Sequence, residues 1–579
     1  MTAEEIREKI ISTVSRNGGH LASSLGAVEL CMALASAFDP VRDRIVWDVG
    51  HQAYAWKILT GRDADFSSLR KLGGISGFPL PSESPADAAV AGHAGVAVSV
   101  AEGYAAARDI LGQGRYVVAV TGDSSIVNGT SLEALNNCAA GARLVVVLND
   151  NAMSISKPTG NISRVLGRII AGARYNSVKR GVREAMRKVG LGFLYGFFHF
   201  VKARVKSLFL ADAVFERIGI RYLGPVDGHD VEALKAAFEV AKEDRRSVLV
   251  HVVTKKGKGF PPAEKDPTAW HGVGPFDRTA ATAPASAGGT WSDAFGDALS
   301  ALARRDGRIV ALTAGMKDGT GLAGFAEEFP KRFFDVGIAE GHMLAFAAGL
   351  AAGGLRPFVA VYSTFLQRAV DQVVHDIAIS KLPVVICVDR AGVVGSDGVT
   401  HHGVFDISML RAIPNLRILQ PKDAEDLAAL LEEALETGGP VVIRYPRGKA
   451  PLRSETAALP KGAEEPAAAI WATGDWYPKA ARVAAKIGGV AVHARSIKPV
   501  DGKLLASQRA KGMAIVSLEN GAATGGLGDA VSADLKFGWP DEFIPHGTQA
   551  ELEKRHGLDE DSLVESCRAF LAARGERRG

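Results

Sequence analysis

The chain is short of cysteine, of net charge and of long apolar runs, and each shortage sets a class of protein aside. Four cysteines (Cys31, Cys138, Cys387, Cys567) are scattered over 579 residues without a CxxC pair. That spacing argues against a disulfide framework or a structural zinc site and fits a reducing compartment. Lys and Arg number 68 against 64 Asp and Glu, a balance of +4 that gives no general case for nucleic-acid binding. The longest apolar stretch, 191–201, falls far short of the roughly 20 residues that span a bilayer. The opening MTAEEIREKI is charged and amphipathic, with no signal-peptide apolar core. Short-period repeats are absent as well. What is present is 47% hydrophobic and 23% charged residues, enough for large cores. The expectation is a cytoplasmic, multidomain protein with neither a membrane span nor a nucleic-acid partner.

Linker-like punctuation at 279–290 (TAATAPASAGGT) and 451–466 (PLRSETAALPKGAEEP) divides the chain in three. Between these marks, uninterrupted apolar runs alternate with helical patterns: YVVAVTGD, LVVVLND, SVLVHVVT, PVVICVDR, PVVIRYPR, and later AIWATG, GVAVHAR and GMAIVSLEN. Such runs predict strands buried on both faces, hence three successive α/β domains with doubly wound, mainly parallel sheets over 1–280, 290–450 and 467–579. One stretch breaks the pattern. Residues 167–209 are basic with an aromatic patch, LGFLYGFFHF, and are expected to form a flexible, partly helical insertion near 155–215.

The richest constellation lies in the first domain. One strand ends in Gly122-Asp123-Ser124, a helical pattern follows, and the next strand ends in Asn149-Asp150-Asn151-Ala152-Met153. Carboxyl ends of neighbouring strands line the ligand crevice of a doubly wound sheet. Asp123 and Asn151, 28 positions apart, are therefore expected to present oxygens to one site. A carboxylate, an amide carbonyl and a backbone carbonyl, completed by phosphate oxygens, suit octahedral Mg²⁺. His20 after Gly18-Gly19, and His51 after Gly50 at a strand end, are loop histidines expected to face the same crevice.

That spacing resembles the thiamine-diphosphate signature of the transketolase superfamily. The flanking words GGHLASSLGAVEL, IVWDVGHQAYAWKILTGR, GGISGFPLPSES, GPVDGHD, TKKGKGF, WHGVGPFD, DVGIAEGH, VYSTFLQRAVDQVVHD and HHGVFD resemble the 1-deoxy-D-xylulose-5-phosphate synthase family. The resemblance implies a homodimeric transferase that joins pyruvate to D-glyceraldehyde 3-phosphate with loss of CO₂, feeding isoprenoid, thiamine and pyridoxal biosynthesis. Its cofactors would be thiamine diphosphate and Mg²⁺. The first domain would hold the diphosphate and metal, the second the pyrimidine, and the third would be the C-terminal transketolase-like domain.

Residue by residue, the resemblance assigns Asp123, Asn151 and Met153 to the metal. It adds His51, His93, Gly122, Ser124 and Lys256 to the cofactor. Glu340 is matched to the acid that promotes the pyrimidine's imino tautomer, and Phe365 to a ring stacked on it. His20 and His51 are matched to proton shuttling beside the reacting carbons, and His401 is counted with them and Glu340 as catalytic. Tyr362, Arg390, Asp397, His401 and Arg447 are matched to the acceptor and its phosphate, and Arg70 to the substrate entrance. Arg444 reads instead as a structural ion pair.

The sequence departs from the family pattern in four places. Ala94 and Gly95 stand where hydroxyl residues follow the histidine, Ser124 stands for glycine, and Ala152 for glutamate. The fourth is a shortened start together with a diverged 155–221 stretch. In addition, His402 occupies a usual glutamine position. Ser124 can replace a lost hydroxyl contact and leave a normal synthase; the alternatives are a divergent paralogue using another acceptor aldehyde, or a weakly cofactor-binding, non-catalytic paralogue.

Overall fold

Runs of Val, Ile and Leu without polar interruption need cover on both faces, and each sheet of this protein supplies it. The computed structural model describes residues 1–138, 142–151, 215–279, 282–283, 288–454 and 466–576. They fall into two compact units, Met1–Arg70 with Gly74–Pro284 and Lys71–Gly73 with Ala285–Gly579.

In the first unit, strands β1 (Arg44–Trp47), β2 (Val117–Gly122), β3 (Val145–Asp150), β4 (Arg221–Asp227) and β5 (Val248–Val253) form an all-parallel sheet in the order β1-β2-β3-β5-β4. Side chains alternate between two cores. Val118, Val120, Val145 and Val147 pack with Ile6, Ile10 and Val14 of helix Ala3–Asn17. Val117, Ala119, Val146 and Leu148 pack with Val98, Ala101 and Ala105 of helix Ala97–Ile110. Fully burying each larger aliphatic side chain contributes about 1.5–3 kcal/mol. This is why runs with no polar face form the interior of the sheet.

The second unit holds two sheets. The larger contains β6 (Ile309–Thr313), β7 (Phe333–Asp335), β8 (Arg356–Tyr362), β9 (Val385–Asp389), β10 (Arg417–Leu419), β11 (Val441–Arg444) and β14 (Ser496–Lys498), in the order β14-β10-β11-β9-β8-β6-β7. The smaller contains β12 (Ala468–Ala472), β13 (Val490–His493), β15 (Ala514–Ala522) and β16 (Leu535–Trp539), ordered β13-β12-β15-β16 and parallel throughout. Stretches 290–450 and 467–579 thus carry one sheet each but pack as one unit. They are joined at an edge, where β14 from the later stretch pairs antiparallel with β10.

The basic stretch 167–209 lies outside the described residues, as do 455–465 of the second linker and parts of the first. No helix among the described residues is long and apolar enough to cross a membrane.

Candidate active site

Register decides which side chains meet in the first unit. Gly122 pairs with Asn149 and Asp150 with Val253, so β2, β3 and β5 end level with one another. Asp123, Asn151 and Lys256 therefore leave three neighbouring strands along one carboxyl edge. Asp123 is 8% exposed. Burial, with Asp150 close by, pushes its carboxyl up to about 7, while Lys256 pulls the other way. Burial likewise lowers the Lys256 ammonium, which the Asp123 charge partly restores. Ser124 donates its backbone N–H to Asp123 Oδ1 (2.9 Å), closing the turn after β2.

Asn149 ties this edge to the histidine loop. It donates from Nδ2 to Gln52 Oε1 (2.6 Å) and accepts at Oδ1 from the Thr254 hydroxyl (2.7 Å). Asp150 is tied elsewhere, 3.1 Å from His251 Nε2, whose Nδ1 meets the Tyr222 hydroxyl at 2.7 Å.

Next to these strand ends, three imidazoles gather. The His20 ring lies 6.1 Å from His51, 5.7 Å from His271 and 5.2 Å from Phe78, and His51 lies 5.2 Å from His271. Val49, just before the Gly50-His51 pair, has φ +59°, a strained value for a β-branched residue and one typical of functional turns. Burial holds His51 and His271 well below the ordinary histidine range, and the charge of Lys256 adds to it. Both rings are thus neutral near pH 7, with Ser23 Oγ 3.2 Å from His271 Nδ1. In the sequence, the only signal for His271 is its place in the word WHGVGPFD. Arg70, with φ +66°, lays its side chain beside Gly19 and Gly77, which precede His20 and Phe78.

His93 sits on the segment leading into helix Ala97–Ile110. That segment is pinned by buried Asp48, which accepts from the N–H groups of Gly95 (2.8 Å) and Val96 (3.2 Å) and from the Thr121 hydroxyl (3.1 Å). Gly95 has φ +88°, and a Cβ there would run into the Asn128 amide. A hydroxyl side chain at position 95 is incompatible with this packing, a local reason for one departure noted in the sequence. Met153 and Ala152 lie outside the described residues.

Among the described residues no three His, Cys, Asp or Glu side chains gather as a metal site. The expected Mg²⁺ set has a single carboxylate and draws its other donors from Asn151, a backbone carbonyl and phosphate. A buried Asp123 carboxyl raised by burial and a second acid is a group that a divalent cation would favour in its ionised form, so the residues present fit Mg²⁺ with a diphosphate.

The second unit carries the other cluster. Glu340 opens helix Glu340–Ala352, is 3% exposed, and receives Arg368 Nη1 at 3.2 Å. A carboxylate at this end also meets the positive end of the helix dipole. Tyr362 at the end of β8 stacks on Phe365 (5.7 Å), and Phe365 meets His401 edge-on (5.7 Å). Arg390 follows β9 with φ +58°, which turns its guanidinium over the Tyr362 ring at 3.7 Å while Nη1 donates to Gly319 O (2.9 Å). Burial pushes the Tyr362 hydroxyl up to about 12 despite Arg390 and Arg447 nearby, so it remains a neutral donor. Arg447 reaches back to Asp397 Oδ2 (3.1 Å) and Val394 O (3.3 Å). Arg444 makes the expected buried ion pair, to Asp406 Oδ2 at 3.0 Å.

Geometry therefore groups His20 with His51, sets Asp123, Asn151 and Lys256 on one edge, and links Tyr362, Phe365, Arg390, Asp397, His401 and Arg447. The model of the 1-deoxy-D-xylulose-5-phosphate synthase family matches residues 1–254, and that of the transketolase pyrimidine-binding domain matches 288–453. Three curated proteins carrying the synthase name are similar over nearly their whole length. The one from Geobacter sulfurreducens, synthase 2, is 44% identical over 98% of this chain and 96% of its own. That of Nitratidesulfovibrio vulgaris is 46% identical over 99% and 94%, and that of Desulforudis audaxviator 45% over 98% and 93%. Identity at this level across all three sheets, together with both matched models, leaves one conclusion: this chain belongs to the 1-deoxy-D-xylulose-5-phosphate synthase family.

Proposed function

We propose that the protein is a transketolase-type transferase that joins pyruvate and D-glyceraldehyde 3-phosphate into 1-deoxy-D-xylulose 5-phosphate, releasing CO₂. The observation that carries this reading is the Tyr362, Arg390, Asp397 and Arg447 group beside Phe365 and His401. It offers two guanidiniums and a neutral phenol, the donors a phosphorylated aldehyde needs. Relatives of 44–46% identity carry the same name, and nothing in the comparisons favours either paralogue reading.

Thiamine diphosphate, when bound, supplies the carbon nucleophile and the electron sink for decarboxylation. Asp123 and Asn151 are assigned to Mg²⁺ with the backbone of Met153, and His93, Gly122, Ser124 and Lys256 to the diphosphate. Glu340 is assigned a proton at the pyrimidine ring nitrogen, held in place by Arg368, with Phe365 against the ring face. His20, His51 and His271 are assigned to proton movement at the reacting carbonyls; desolvation favours the neutral, proton-accepting form of His51 and His271. His401 and Asp397 are assigned to the acceptor, Tyr362, Arg390 and Arg447 to its phosphate, and Arg70 to the entrance. The active form is assigned as a cytoplasmic homodimer.

The test is CO₂ release from pyruvate with a panel of phosphorylated and free aldehydes. Release that depends on thiamine diphosphate and Mg²⁺ and is fastest with glyceraldehyde 3-phosphate is expected. Preference for another aldehyde, or no release with any, would reject the reading.

A further inference from the structure

The loop 392–403 carries Asp397 and His401, yet much of what holds it comes from the last third of the chain. Val393 donates its N–H to Asn520 Oδ1 (3.1 Å). Gly392, at φ +83°, lies so close to the Asn520 amide that a Cβ there would collide with it. Asn520 is fixed in turn: Nδ2 donates to Asp475 Oδ2 (2.6 Å), the backbone N–H to Thr473 Oγ1 (3.0 Å), and Oδ1 also accepts from Trp539 Nε1 (2.9 Å). Its carbonyl accepts from Arg444 Nη2 (2.9 Å).

A second grip comes from His402, which is 3% exposed. Its Nδ1 accepts from the Val394 N–H (3.1 Å), so the proton sits on Nε2, which donates to the Pro545 carbonyl (3.1 Å). One neutral ring therefore joins the start of the loop, through its own end, to the segment after β16. Val394 also presents the carbonyl that receives Arg447. Moving Val394 thus moves the Arg447 and Asp397 pair.

We propose that His402 and Asn520 are positioning residues for acceptor binding: the C-terminal stretch braces the acceptor loop, and its contribution to the reaction is that brace. This rests on the reading of Asp397, His401 and Arg447 as acceptor residues, so the experiment has two arms. The first is amide hydrogen exchange in His402→Phe, which keeps volume but loses both hydrogen bonds, and in His402→Gln, whose amide retains one acceptor and one donor. Faster exchange confined to the 392–403 loop in His402→Phe, and near wild-type exchange in His402→Gln, is expected. Unchanged exchange in His402→Phe, or exchange raised throughout the protein, would overturn the brace.

The second arm is steady-state kinetics. The KM for glyceraldehyde 3-phosphate should rise about tenfold or more in His402→Phe and in Asn520→Ala, the scale of one lost buried hydrogen bond. The pyruvate KM should stay near wild type, and His402→Gln should recover most of the loss. Equal losses for both substrates would overturn the positioning role. A wild-type protein inactive with glyceraldehyde 3-phosphate would reject the acceptor reading itself, and the exchange arm would then still decide the brace.

Discussion

Arg390 and Arg447 carry the same charge but sit in different surroundings, and their truncation should therefore read differently. The Arg390 guanidinium is packed on Tyr362 and bonded to Gly319 O, whereas the Arg447 side chain is 47% exposed and held by Asp397 and Val394. A hydrogen bond to a charged group is worth about 1.5–3 kcal/mol, so losing either arginine should raise the acceptor KM roughly 10-fold to 150-fold. Arg447→Ala should do this with an unchanged melting temperature. Arg390→Ala should also lower the melting temperature, since its cation–π contact goes with it. Kinetics with phosphorylated and unphosphorylated glyceraldehyde, run beside thermal melts, checks both. Equal losses with the two aldehydes would remove these arginines from phosphate binding.

Elements built from uniform runs were legible in the sequence, whereas those made by edges and tertiary contacts were not. YVVAVTGD, LVVVLND and PVVICVDR announce β2, β3 and β9 because two-sided burial leaves no polar face. The three-residue β14 carries no such pattern; it exists because Ile418 and Leu419 of β10 offer an open edge. His271 follows a short helix rather than a strand, so only the folded chain shows it reaching His20 and His51. The same holds for the Glu340–Arg368 pair and for Glu519 on β15. Glu519 accepts from the N–H groups of Leu527 (2.7 Å) and Gly528 (2.9 Å), yet burial outweighs them and pushes its carboxyl up to about 7. A carboxyl raised in the folded state binds its proton more tightly there than in the unfolded chain. Its contribution to stability is complete below pH 4.5 and is lost as pH rises through 7, a swing of about 3 kcal/mol. Urea unfolding of wild type and Glu519→Gln between pH 4.5 and 8 measures it. The variant should lose this slope and gain on the wild type as pH rises; parallel pH curves would show that Glu519 stays ionised.

At the scale of the whole molecule, each described sheet has helices and cores on both faces, while the candidate residues gather at strand ends and loops that stability alone does not explain. Asp123 and Lys256 are both desolvated, at 8% and 9% exposure, in a protein with ample surface for charge. Desolvating both charges costs stability that their mutual attraction returns only in part, and a bound charged group would add to that return. Thiamine diphosphate with Mg²⁺ is the proposed group, and binding to the native state alone must then stabilise it. At a hundredfold excess over Kd the gain is about 2.7 kcal/mol, enough to move the melting transition by several degrees. The shift should need cofactor and metal together, with either alone giving little, because Asp123 and Asn151 would hold the cation that offsets the diphosphate charge. In Asp123→Ala the Mg²⁺-dependent part should vanish. A thermal-shift matrix of protein, cofactor and metal decides this. The same Mg²⁺-dependent shift in Asp123→Ala as in wild type would take Asp123 out of the metal site and move the diphosphate to some other edge of the sheet.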